Sequence, residues 1–172
     1  MERTMVNIGT VENYETKLPA RAGFIAGVFG SLIIIIVVTG IVMLNGSDIW
    51  MAARLIATVV YGPDAMVGAA PIVIGTIIHL TTGGVLGLIF ARIVPRLPRG
   101  FWMVVGLGYG VIAWALSTFI ILPVLAPPMI AAAANVSVLF IAHIIYGFVL
   151  GLAGAGYELW WWLPARLRPP AS

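Results

Sequence analysis

The chain contains no cysteine and very little charge. Without cysteine there are no disulfides, thiolate metal sites, iron–sulfur clusters or covalently attached c-type haem. Only 9% of the 172 residues are charged, where a soluble domain carries about a quarter. A cationic face is missing too: the arginines stand at the ends of apolar runs, so the net charge of +3 is no nucleic-acid signature. There is no secretory pattern, because MERTMVNIGTVENYETKLPAR is polar for some twenty residues before the first apolar run.

What is present is hydrophobic. Apolar residues make up 62% of the chain and the mean hydropathy is +1.11, the composition of a protein whose solvent is lipid. Four runs are long enough to cross a bilayer: about 20–44, 69–94, 100–125 and 135–162. They predict an all-α integral membrane fold, a four-transmembrane-helix bundle made of two tandem helical hairpins. One interfacial amphipathic helix is expected in the first outer loop. Residues 1–18 form an N-terminal tail, 19–163 the membrane domain and 164–172 a C-terminal tail. The first tail reads either as frayed or as a segment that orders against a partner.

Local signals set the expected boundaries. Pro19 suits the first turn of the first helix. Ser47 or Asp48 can cap a helix from about Ile49 to Tyr61, which Gly62-Pro63-Asp64 terminates. Ile49, Ala52, Ala53, Ile56, Val59 and Val60 lie on one side of that helix, with Trp50 as an interfacial anchor. Pro123 should kink or end the third span. Asn135 can cap the fourth, whose end carries Trp160, Trp161 and Trp162 as an interfacial belt. Eight of the nine Lys and Arg residues fall in the two tails, at the very start of the first span (Arg21) and in the 92–99 connection. The positive-inside rule then makes both termini cytoplasmic.

The most ordered signal is a repeat. HLTTGGVLGLIFA, from His79 to Ala91, returns sixty-four positions later as HIIYGFVLGLAGA, from His143 to Ala155. His79, Gly83, Gly87 and Ala91 recur every fourth residue and share one helix face, as do His143, Gly147, Gly151 and Ala155. Gly23 and Gly27 (followed by Ser31) and Gly106 and Gly110 form comparable faces on the other two spans. Small residues let two backbones come close, a main source of packing energy in lipid. The expected helix-packing residues are therefore Gly23, Gly27, Gly83, Gly87, Ala91, Gly106, Gly110, Gly147, Gly151 and Ala155. Gly23-Phe24 and Gly100-Phe101, seventy-seven apart, mark the hairpin starts, so the second hairpin is thirteen residues shorter. A pseudo-twofold along the membrane normal could bring His79 and His143 face to face, each roughly 13 Å below the outer surface.

DIWMAARLIATVVYG, the H-x3-G-x2-LG element, the basic proline-containing turn and AHIIYGFVLG resemble a family of uncharacterised small four-helix membrane proteins of bacteria and archaea. The likeness runs from about residue 20 to 158, and AHxxYG (Ala142 to Gly147) is its most specific part. The first copy differs, with Ile78 and Thr82 in place of Ala142 and Tyr146. The resemblance implies the fold and no particular activity.

Chemistry is scarce in the spans. They hold no Lys or Asp, and His79, His143, Tyr109 and Tyr146 are their ionisable groups near mid-membrane. No enzyme is expected. An intramembrane histidine calls for an explanation, and three stand. The imidazoles are neutral and hydrogen-bonded to Thr81, Thr82, Ser117 or a backbone carbonyl; or they bind a b-type haem or chlorin as cofactor; or they line a transport path. Small-residue faces on every span and little mass outside the membrane favour a non-catalytic accessory or assembly subunit of a larger respiratory or photosynthetic electron-transport complex. Its partners would be the bilayer and other membrane subunits, with no nucleic acid, and its place the cytoplasmic membrane of a prokaryote. No cofactor ligated by both histidines is expected.

Overall fold

Backbone hydrogen bonds cannot be satisfied by hydrocarbon, so an apolar chain in lipid must close them within helices. The computed structural model describes residues 17–97, 100–125 and 136–162, with side chains of the last segment from 137 to 157. The expectations for residues 1–16 and the C-terminal tail, Arg99, the 126–134 loop and the Asn135 cap lie outside those residues, and that for the tryptophans at 160–162 outside the described side chains. The described regular structure is helical. Helix α1 is Ala20–Leu44, α2 Met51–Tyr61, α3 Ala70–Ile93, α4 Phe101–Leu116 and α5 Val136–Trp162. A 3-10 turn, Gly62–Met66, follows α2, and α4 continues through a π turn, Ser117–Ile121, to Leu125. Four stretches are long and apolar enough to cross a membrane: Ala20–Leu44, Ala70–Ile93, Phe101–Leu125 and Ser137–Tyr157. The exterior is correspondingly apolar, with Ile25, Ile36 and Phe119 each more than 60% exposed. The chain is a multi-pass membrane protein.

Three local expectations are corrected. Pro19 stands just outside α1 as its N-cap, in an extended conformation (φ −62°, ψ 144°), so the helix begins one residue later. Neither Ser47 nor Asp48 caps α2: Trp50 takes that position, and no side chain caps the helix. The Asp48 carboxylate instead lies 3.6 Å from Arg54, a half-buried guanidinium whose charge competes with the backbone for it. Arg54 Nη1 also donates to the Met66 carbonyl at 2.9 Å, fastening α2 to the turn after it. Of the two alternatives for Pro123, a kink or an end, the end is corrected, because the span runs on to Leu125. A proline lacks an N–H and crowds the carbonyl one turn back, and here the helix widens into a π turn immediately before it.

The α2 surface also differs from the expected one. Ala57 and Thr58 are buried, while Val59 and Val60 are exposed. The protein-facing side is the small one, because α3 presses a glycine against it: a Cβ on Gly75 would overlap the Ala53 carbonyl. Large side chains cannot occupy that contact.

The packed core sits at the end of the bundle where the chain enters α1 and leaves α3. Leu18, Phe90, Trp102 and Leu150 are fully buried there, with Ala91, Val94 and Tyr146. The Phe90 ring meets Tyr109 edge-on at 5.1 Å and lies 6.3 Å from Trp102 between ring centroids. Such aromatic contacts add to the area they bury.

Candidate functional site

The site is best built from the glycines. A Cβ on Gly23 would strike Ala91 Cβ and the Gly87 carbonyl, one on Gly27 the Gly83 carbonyl, and one on Gly83 the Ser31 side chain. Helix α1 therefore lies antiparallel on α3, with 23, 27 and 31 descending against 87–91, 83–87 and 79–83. The second pair repeats this geometry. A Cβ on Gly106 would meet the Gly147 carbonyl and Gly151 Cα, one on Gly110 the His143 carbonyl, and one on Gly151 the Trp102 carbonyl. Helix α4 lies antiparallel on α5 in the same way. Gly23, Gly27, Gly83, Gly87 and Ala91 are thus brought together at one interface, and Gly106, Gly110, Gly147 and Gly151 at another. Ala155 is half-buried beside the core near Trp102.

This register corrects the repeat. If His79 matches His143, then Gly27 matches Gly106 and Ser31 matches Gly110, seventy-nine positions apart rather than seventy-seven. Gly23 then corresponds to Trp102, and Gly-Phe is not an equivalent pair. The second half is shorter by fifteen residues instead of thirteen. The indole of Trp102 fills what a glycine leaves open in the first half, against Gly154.

The histidines fall at the end of these registers. His79 Nε2 lies 3.2 Å from the Ser31 carbonyl on α1. A carbonyl only accepts, so Nε2 carries the proton and, in the neutral ring, Nδ1 keeps a lone pair. His143 has the opposite arrangement: Nδ1 donates to the Leu139 carbonyl one turn earlier on its own helix, at 2.8 Å. Its lone pair is on Nε2. The hydroxyl-bearing candidates Thr81, Thr82 and Ser117 are not the partners in these two bonds. The main backbone neighbours of α5 are α4 and α1, and it reaches α3 through the Tyr146 side chain. The imidazoles remain within electrostatic reach of each other.

Two tyrosines complete the layer. Tyr146, only 3% exposed, passes between the first pair of helices and donates its hydroxyl to the Gly83 carbonyl. Its ring covers Gly30 and its oxygen faces Gly27. Tyr109 on α4 donates to the Leu86 carbonyl at 2.8 Å. Both halves are therefore joined through α3 carbonyls at 83 and 86. The sequence offered one signal for this, the tyrosine of AHxxYG, whose counterpart in the first copy is the exposed Thr82.

The arrangement holds helices together. Among the described residues, no group of three or more His, Cys, Asp or Glu could bind a metal. An apolar groove of about 780 Å³ lies between α1 and α5, and neither histidine lines it.

A bundle of four apolar helices, locked by glycine faces and by side chains bonded to helix carbonyls, defines a compact multi-pass membrane protein. The chain belongs to the family of unknown function DUF6789, whose profile matches residues 19–158. No curated protein and no solved structure matches the chain.

Proposed function

We propose that the protein is a non-catalytic accessory or assembly subunit of a larger respiratory or photosynthetic electron-transport complex in a prokaryotic cytoplasmic membrane. In this reading it is two tandem helical hairpins with α2 lying in the outer interface and both termini cytoplasmic. One observation carries it: His79, His143, Tyr109, Tyr146 and Thr76 each bond to a helix carbonyl. These five side chains are committed to architecture, and the outward surface is largely apolar, open to lipid and neighbouring subunits. The basic 92–99 connection supports the orientation.

The test is co-migration. Tagged protein released from its native membranes in a mild detergent should run on a native gel with a redox complex, identified by its haem or chlorophyll absorption and its subunit masses. Migration as a lone monomer or homo-oligomer would refute the subunit reading.

A second reading has its own observation. An imidazole whose Nδ1–H is held by a carbonyl presents its Nε2 lone pair outward, the preparation common to metal-ligating histidines. His143 has that form, which favours a carrier of one b-type haem or chlorin at the protein surface. His79, with Nε2 occupied, does not supply a matching second ligand.

A further inference from the structure

From the groove between α1 and α5 we infer a binding site for one anionic phospholipid. The inference requires only that the protein sits in a membrane, and stands or falls apart from the subunit reading.

The groove is wholly apolar, with Ile25, Ala26, Phe29 and Ile33 on one wall and Phe148 and Leu152 on the other. Alanines 22, 26 and 153 recess its floor, so it is a channel between two helices and not a flat flank. Its length matters. From Ala22 to Ile33 is about 16 Å at 1.5 Å per residue, half of a ~30 Å hydrocarbon core. A transmembrane helix would need the full thickness, whereas an acyl chain needs one leaflet.

Charge completes the site. Arg21, Ile25, Phe29 and Ile33 are spaced by four and share one face of α1. Arg21 is exposed at the end of the groove, next to Ala22 and one turn before Ile25, with exposed Lys17 four residues before it. A cation at headgroup level in line with an acyl channel matches a phosphate whose lipid carries net negative charge. The acyl chain lies between the helices and the phosphate accepts hydrogen bonds from Arg21.

Native mass spectrometry of the detergent-purified full chain, titrated with phosphatidylglycerol and with phosphatidylcholine, tests this. Wild type should retain one phosphatidylglycerol preferentially. Arg21→Gln, at an exposed position, should lower that retention about fivefold, the weight of one basic residue near a membrane surface. Ala26→Phe, which fills the groove, should abolish retention of both lipids. Equal retention of the two lipids, or an Arg21→Gln variant indistinguishable from wild type, would overturn the proposal. So would a lipid-free dimer that Ala26→Phe dissociates, which would make a second copy the occupant. If Ala26→Phe fails to fold, the Arg21→Gln comparison decides alone.

Discussion

Tyr146 shows how one side chain can couple two halves of a bundle. Its ring is buried and its hydroxyl is bonded to the Gly83 carbonyl on a different helix pair. Hydrogen bonds between membrane helices average about 0.6 kcal/mol and reach about 1.7. Tyr146→Phe keeps the ring and removes the bond, so it should lower thermal stability in detergent by an amount in that range. Tyr109→Phe should do the same through Leu86, and the double variant should lose close to the sum, because the bonds share no partner. Ser31 gives a contrasting expectation. It offers His79 its backbone carbonyl, so Ser31→Ala should leave that imidazole in place. An unchanged His79 ring signal by NMR is the check, and a displaced one would mean that the hydroxyl is the true partner.

At the scale of the elements, the account depends on backbone contact. Gly87 has the Gly23 carbonyl and Gly27 Cα where a side chain would go. Gly87→Ala should cost about 1–3 kcal/mol by overpacking, and Gly87→Leu more, while Leu88→Ile should be mild. Gly151 is looser, with its nearest obstacles at 3.0–3.2 Å, so Gly151→Ala should cost less than Gly87→Ala. Gly108 has nothing within 4 Å of its missing Cβ. Gly108→Ala should therefore be neutral or stabilising by up to about 1 kcal/mol from helix propensity. Thermal melts of the three variants check the order, and equal stability would mean that these glycines do not set the spacing. Gly83→Ala should be partly rescued by Ser31→Gly, which removes the side chain it strikes.

Much of this was legible in the chain, because lipid leaves few choices. Each apolar run became a helix, with described ends within a residue or so of those read from the sequence. The four-residue spacing of glycines pointed to faces, since periodicity is a property of one helix. It could not say which face meets which, and so the pairing of α5 with α1 and the seventy-nine-residue offset were hidden. The Gly-Phe likeness misled for the same reason: two letters shared by chance carry no register. Asp48 was misread because its competitor, Arg54, approaches only once α2 has folded. The role of Tyr146 depends on tertiary contact and had only a motif to announce it.

At the scale of the whole molecule, the positive-inside rule turns the basic segments into a prediction of what can be labelled. Because the chain has no cysteine, single cysteines at Gly46 and Leu97 make clean reporters. An impermeant reagent added to intact cells should label Gly46→Cys and leave Leu97→Cys unmodified until the membrane is opened. The reverse pattern would invert the topology. The central proposal is that the mid-membrane histidines and tyrosines are held by helix carbonyls and not by a cofactor. Its most direct test is the visible absorption spectrum of the protein purified from its native membranes, for wild type and His143→Ala. The account predicts no Soret or chlorin band in either, with the variant only less stable. A band in wild type that is lost in His143→Ala would contradict it.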